Sequence, residues 1–262
     1  MALHRPIAGH PTWVHDRGGS RAPVLLLHGG LSSSDLLLDA IGPSLDDAYR
    51  VVAFDRRGHG YTADTEAPFH YADMVTEAIA VLQEVVGGPA HLVGWSDGGI
   101  VALLVALERP DLVRRLVLVG VNYHHDAFVK VDPDPSFEEF VRTEYLDRTP
   151  DGPEHFKVVV RKSLALWGSE PTLTTDAVAR ITQPALVVAG DDEALALAHT
   201  CSLYEALPRG RLAVVPGASH ALPVEQPDVL AGLVVAFLAA TEPPRTLVPV
   251  RRGAGGWVNR AT

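Results

Sequence analysis

Six short apolar runs, each continuous rather than alternating, constrain this chain more than any other feature. They are PVLLLH at 23–28, RVVAF at 50–54, AHLVGW at 90–95, RRLVLVG at 114–120, PALVVAG at 184–190 and RLAVVPG at 211–217. Successive side chains of a strand point to opposite faces, so a strand with one wet face alternates apolar and polar residues. A continuous run fits a strand buried on both faces, as in a parallel sheet covered by helices. Between the runs lie segments of helical period. Val75, Ala78, Ile79, Leu82, Val85 and Val86 share one helical face that ends at Gly87-Gly88-Pro89, a stop signal. Val229, Leu230, Leu233, Val234, Phe237 and Leu238 repeat the pattern near the C-terminal end. Alternating strands and helices predict an α/β fold: a mostly parallel central sheet with helices on both faces.

The alternation breaks over residues 123–182. There FEEFVRTEYL, HFKVVVRKSLALW and TTDAVARI read as helices, punctuated by prolines at 133, 135, 150, 153 and 171. The strand pattern resumes at Pro184, so this stretch is expected to be a small helical cap inserted into one core formed by 1–122 and 183–241. From 242 onward, Pro-Pro, Gly-Gly and scattered arginines predict a poorly ordered tail over 242–262, with Trp257 suited to anchor part of it.

Composition narrows the class of partner. With 47% apolar and 21% charged residues the chain has the make-up of a folded globular protein. A formal net charge of −10, with arginine concentrated only in the tail, argues against a nucleic-acid footprint. The single cysteine, Cys201, cannot form an intrachain disulfide and reads as a packing residue. MALHRPIAGHPTW lacks a basic segment followed by an apolar one, and runs such as 230–240 fall short of the roughly 20 apolar residues of a membrane span. The expectation is a soluble cytoplasmic protein acting on a small molecule, without nucleic-acid or membrane partners and with its oligomeric state left open.

The chemistry concentrates at the strand ends. Gly94-Trp95-Ser96-Asp97-Gly98 fits G-x-S-x-G; the strand AHLVGW runs into it and the helical GGIVALLVALERP leaves it. That is the strand-turn-helix setting of a nucleophile elbow, where strand and helix approach too closely for a Cβ at the glycines. The turn presents Ser96 Oγ at a helix N-terminus, where the helix dipole favours developing negative charge. A serine hydroxyl needs a neighbouring base to act as a nucleophile at neutral pH, and His220 in PGASH follows the last strand at the same sheet edge. The base needs a carboxylate to hold its tautomer. The loop after PALVVAG offers Asp191, Asp192 and Glu193, and the chemistry alone accepts any of them. After VLLLH, the loop His28-Gly29-Gly30-Leu31 is placed to supply an oxyanion-hole amide from Gly30, the second coming from Asp97.

Together HGG, FDRRGHG (54–60), GWSDGG (94–99), AGDDE (189–193) and PGASH (216–220) resemble the α/β-hydrolase superfamily over about residues 12–240. The order nucleophile, acid, histidine is that family's. GWSDGG is similar to the serine-hydrolase branch that contains valacyclovir hydrolase, or biphenyl hydrolase-like protein. The resemblance implies an acid at the fourth position of a G-x-x-D stretch. Counted from Gly190 this is Glu193, or Asp192 if a local shift brings it into place. It also implies that the Asp97 side chain helps hold a substrate ammonium, with Leu31 beside it on the substrate side. Implied as well is acyl transfer to water from small carboxylic esters, amino-acid esters among them, without metal or organic cofactor. Carbon-carbon bond hydrolysis, cofactor-free perhydrolysis or non-catalytic ligand binding are the alternatives on the same scaffold. Among other polar groups, His59 in RRGHG reads as a structural turn residue. His124 and His125 lack a recognisable ligand spacing for a metal, and Ser32, Ser33 and Ser34 read as helix caps before DLLLDAI.

Overall fold

In the computed structural model, residues 2–129, 134–240, 246–250, 252–253 and 256–257 are described. The strands β1 (Ala2–Ile7), β2 (His10–Asp16), β3 (Pro23–Leu27), β4 (Arg50–Phe54), β5 (Ala90–Trp95), β6 (Val113–Val119), β7 (Ala185–Asp192) and β8 (Gly210–Ser219) form one sheet. Their order is β1-β2-β4-β3-β5-β6-β7-β8. From β4 to β8 every neighbouring pair is parallel, while β1–β2 and β2–β4 are antiparallel.

Both faces of this sheet are apolar because alternate residues of each continuous run serve different cores. Leu25, Leu27, Val52, Phe54 and Leu92 pack with the helices α2 (Tyr71–Ala80) and α3 (Asp97–Glu108). Val24, Leu26, Val51, Ala53 and Val93 pack on the other face with α1 (Ser34–Leu45) and α9 (Pro227–Ala239). Each such side chain contributes about 1.5–3 kcal/mol on burial, so both faces demand a helical cover. The predicted helix through Val86 is α2 continued by a π-helical turn, Val81–Val86, and ends at the left-handed Gly87 (φ 82°).

Three local expectations change. The run 211–217 is not buried on both faces: β8 lies at the sheet edge, Val214 is exposed, and Leu212 and Ala213 are half-buried. The β1–β2 hairpin is absent from the apolar pattern, because only Ile7, Thr12 and Val14 in it are buried. Its two-residue turn, Ala8-Gly9, has φ of 48° and 80°, the conformation that matches the twist of paired strands. The serines before α1 do not cap it through their side chains. Ser33 stands at the N-cap without such a bond, and Asp55, just after β4, accepts the Ser34 N–H at 2.7 Å instead.

Between β6 and β7 the chain forms α4 (Pro135–Leu146), α5 (Phe156–Trp167) and the single turn α6 (Thr175–Val178). The helices α7 (Leu197–Ala206) and α8 (Leu222–Glu225) follow β7 and β8. Among the described residues no helix is long and apolar enough to cross a membrane. Most of the stretch expected to be a poorly ordered tail, and the side chain of Trp257, lie outside the described residues. Within that stretch, Arg252–Gly253 pairs antiparallel with Gly256–Trp257.

Candidate active site

Ser96 sits where β5 turns into α3, with φ 52° and ψ −121°. A non-glycine residue held in such a region costs roughly 1–3 kcal/mol and persists only where its surroundings impose it. Here Ser96 N–H donates to Val119 O at 2.8 Å, and Ser96 O accepts from Gly99 N and Ile100 N at 2.8 and 3.1 Å. The arms of the turn leave no space: a Cβ on Gly94 would lie 2.4 Å from Gly98 O, and one on Gly98 only 2.0 Å from Leu27 O. Ser96 does not use its hydroxyl to cap α3. Instead Oγ lies 3.0 Å from His220 Nε2.

His220 directly follows β8, and its carbonyl accepts from Trp95 Nε1 at 2.8 Å, tying the histidine loop to the elbow. Its Nδ1 is 2.5 Å from Glu193 Oε1. The Glu193 side chain is only 3% exposed, and Oε1 also accepts the Ala194 N–H at 2.9 Å. A carboxylate at Nδ1 places the ring proton there and leaves the Nε2 lone pair aimed at Ser96. Of the two carboxylates left open by the sequence, the structure brings Glu193 to His220 and not Asp192. The pairing of β7 with β8 shifts register between Gly190 and Asp192, so Asp192 remains in the strand opposite Ser219, exposed and without a hydrogen bond to His220. Asp191 accepts the Gly217 N–H at 2.7 Å and so links β7 to the bend in β8.

Gly120, which ends β6's run, was not singled out by its sequence context. It has φ 57°, and a Cβ there would lie 3.0 Å from His220 Nδ1 and 3.2 Å from Glu193 Oε2. Its only sequence signal is a glycine closing an apolar run.

Across from the elbow, Gly30 nearly touches the first turn of α3: a Cβ on it would lie 2.6 Å from both Asp97 Oδ2 and Trp167 Cζ2. Leu31 beside it is half-buried and adopts φ 53°. The amides of Gly30 and Asp97 donate to no protein acceptor among the described residues; for Asp97 this is usual for an N-terminal helix amide. The Asp97 carboxylate is buried. Its Oδ1 accepts from Tyr71 OH at 2.7 Å and from Trp167 Nε1 at 2.9 Å, with Oδ2 3.2 Å from the same indole nitrogen. Burial, reinforced by the Asp97 charge, pushes the Tyr71 hydroxyl well above its ordinary range. Tyr71 and Trp167 lie 26 and 70 residues from Asp97, and no local pattern announces them.

Beneath the same loop lies Arg56, 1% exposed. Its Nη1 donates to His28 O at 2.6 Å and its Nη2 to Gly29 O at 3.0 Å, while its backbone N–H donates to His28 Nε2 at 3.1 Å. His28 Nδ1 lies 2.7 Å from Gly29 O. Since Nε2 accepts, Nδ1 carries the proton, and burial holds the imidazole neutral. Burial also pulls the Arg56 guanidinium down from its usual value, with Asp97 opposing it most strongly.

His59 is buried against the rings of His28 and Phe69, with its Nδ1 3.0 Å from Arg57 O. Burial, then the Arg56 charge, lowers its pKa to about 3, so it is a neutral packing group of the turn. His124 and His125 stack on one another at 4.7 Å, and His124 Nδ1 lies 2.7 Å from Asp126 Oδ1. Cys201 is half-buried in α7.

Comparison with known proteins gives a consistent picture. Residues 24–233 match the Alpha/beta hydrolase family. RutD of Agrobacterium fabrum, provisionally named a carbamate hydrolase, is 28% identical over 256 residues, covering 86% of this chain and 96% of RutD. The human serine hydrolase BPHL is 28% identical over 237 residues, covering 82% of this chain and 78% of BPHL. Among solved structures, the meta-cleavage product hydrolase CumD of Pseudomonas fluorescens IP01 shares the fold, with a TM-score of 0.76 at 24% identity over 91% of this chain and 97% of CumD.

Proposed function

The chain belongs to the alpha/beta hydrolase family, and we propose that within it the protein is a serine hydrolase cleaving small carboxylic esters through an acyl-enzyme. The observation that carries this reading is the unbroken relay from Glu193 Oε1 through His220 to Ser96 Oγ, at 2.5 and 3.0 Å, on an elbow held in a strained backbone conformation. In this reading Ser96 Oγ adds to the ester carbonyl while its proton passes to His220 Nε2. The amides of Gly30 and Asp97 stabilise the oxyanion, typically the largest electrostatic contribution in such chemistry. The alcohol leaves with the proton from His220. Water then attacks the acyl group, giving a proton to His220 and restoring Ser96. Glu193 holds the imidazole in the tautomer that both steps require.

In the same reading α4, α5 and α6 form a cap over the acyl side of the site, supported by Trp167 at the end of α5 reaching Asp97. The resemblance to the BPHL branch and the burial of the Asp97 carboxylate beside Gly30 favour substrates with an amine near the scissile carbonyl. Carbamates present the same electrophile and belong in the same trial.

The test is labelling by a fluorophosphonate together with turnover of p-nitrophenyl acetate. Adduct on Ser96, ester hydrolysis, and loss of both in Ser96→Ala are the expected results. A protein that binds ligands but neither labels nor turns over would be a binding protein on this scaffold. One that labels but prefers vinylogous diketones, or perhydrolysis, to every ester would replace the ester reading with the corresponding alternative.

A further inference from the structure

A fully buried guanidinium facing carbonyls rather than a carboxylate is costly, since a buried charge needs compensation. No carboxylate forms an ion pair with Arg56 within 4 Å among the described residues; its terminal nitrogens go to His28 O and Gly29 O, and Nε has no partner. The peptide bond is planar and trans, so the carbonyl of one residue and the N–H of the next point in opposite directions. The Gly29 carbonyl is gripped from one side by Arg56 Nη2 at 3.0 Å and His28 Nδ1 at 2.7 Å. The Gly30 N–H therefore points away from Arg56, and Gly30 itself lies against Asp97 at the start of the elbow helix.

From this geometry we infer that Arg56 is a positioning residue for the reaction: it holds the Gly29–Gly30 peptide so that its N–H faces the developing oxyanion. This inference rests on the serine-hydrolase reading above. The guanidinium also polarises the peptide it holds, because a charge-assisted bond to the carbonyl strengthens the N–H on the far side as a donor. A lysine cannot reproduce this grip, since it lacks the planar fork that reaches two successive carbonyls.

The experiment compares an oxygen ester with its thiono analogue, whose C=S sulfur is a poor hydrogen-bond acceptor, in the wild type, Arg56→Lys and Arg56→Gln. Expected are a fall in kcat on the oxygen ester on the order of 10²-fold, the loss typical of one oxyanion donor, and little change in KM. The preference for oxygen over sulfur should collapse with it, while the pH profile set by His220 stays in place. Equal losses on both esters would overturn the inference and leave Arg56 a structural residue only. If neither variant folds, ¹⁵N labelling of arginine and glycine in the wild type with a trifluoromethyl ketone adduct decides. A downfield move of the Gly30 amide proton together with the Arg56 guanidinium protons supports the inference, and a Gly30 move that leaves the Arg56 protons where they were overturns it. A wild type that neither labels at Ser96 nor hydrolyses esters would instead show that the underlying reading fails, and this inference with it.

Discussion

Two regions converge on Ser96 and are built by different physics. The elbow and the sheet around it are backbone constructions: nine of the twelve residues of α3 are buried, and glycines set how closely its neighbours approach. The inserted helices are side-chain constructions, and α4 buries only Tyr145. Val159 and Leu166 of α5 and Val178 of α6 pack into the apolar core, and polar contacts fasten the rest of the segment: Arg148 with Asp35, Glu144 with Ser33, Lys162 and His155 with Asp64, and Glu170 with His70. Burial pushes the Asp64 carboxyl up, but Lys162 and His155 outweigh it and hold it below its ordinary range. The contrast suggests a division of labour. In the proposed reading, chemistry that tolerates little displacement sits on the densely packed elbow, and substrate choice falls to the segment fastened by more polar contacts.

If that division holds, the largest effects belong to the elbow. Ser96→Ala and His220→Ala should each lower kcat by on the order of 10⁴-fold or more, with the double variant no worse than the singles because the residues act as a unit. Steady-state kinetics on folded proteins, judged by circular dichroism, would show it, and near-normal turnover by Ser96→Ala would dismantle the mechanism. Next comes the acid. Glu193→Gln should cost roughly 10⁴-fold in kcat, whereas Asp192→Asn should change it less than about twofold, a margin typical of exposed sites. A crippling Asp192 change would mean that the β7–β8 register differs in solution.

A backbone test follows at Gly120. Gly120→Ala puts a methyl 3.0 Å from His220 Nδ1 at φ 57°, and misplacing the imidazole by a fraction of an ångström should cost on the order of 10²-fold in kcat. The φ strain should lower stability by about 1–2 kcal/mol. Chemical denaturation alongside kinetics separates the two effects, and unchanged kcat would show that the imidazole has room to spare.

On the side facing the insertion the effects should be selective. Asp97→Asn keeps shape and amide while removing charge, so it should lower kcat/KM for an α-amino ester by about 10- to 100-fold relative to the matching ester without the amine, as a charge-assisted contact of about 1.5–3 kcal/mol would. Equal losses on both would assign Asp97 to holding Tyr71 and Trp167. The smallest effect is a pH dependence. The Glu170 carboxylate raises the pKa of His70, so this contact is fully present below the ordinary histidine value near 6.5 and is lost as pH rises through the raised value in the folded state. Because His70 is half exposed, the contribution should stay under about 1 kcal/mol. Wild type and His70→Ala should then differ in Tm at pH 6 and converge at pH 9; a gap that persists at pH 9 would mean that the contact is not ionic.

What the sequence determined by itself is what short-range periodicity encodes. Runs apolar at every position became the strands of the parallel sheet from β4 to β8, covered by helices on both faces except at the edge strand β8. A glycine-flanked serine between one such run and a helix could only be a tight turn. Tertiary structure decided whatever depends on residues far apart in the chain. Which carboxylate reaches His220 turned on a register shift between β7 and β8. The cap on α1 came from Asp55, 21 residues beyond the serines that were expected to supply it. Tyr71, Trp167 and Arg56 reached the Asp97 and Gly30 corner from separate elements, because a side chain's partner across a packed core is set by how helices and strands stack, and no local pattern records that.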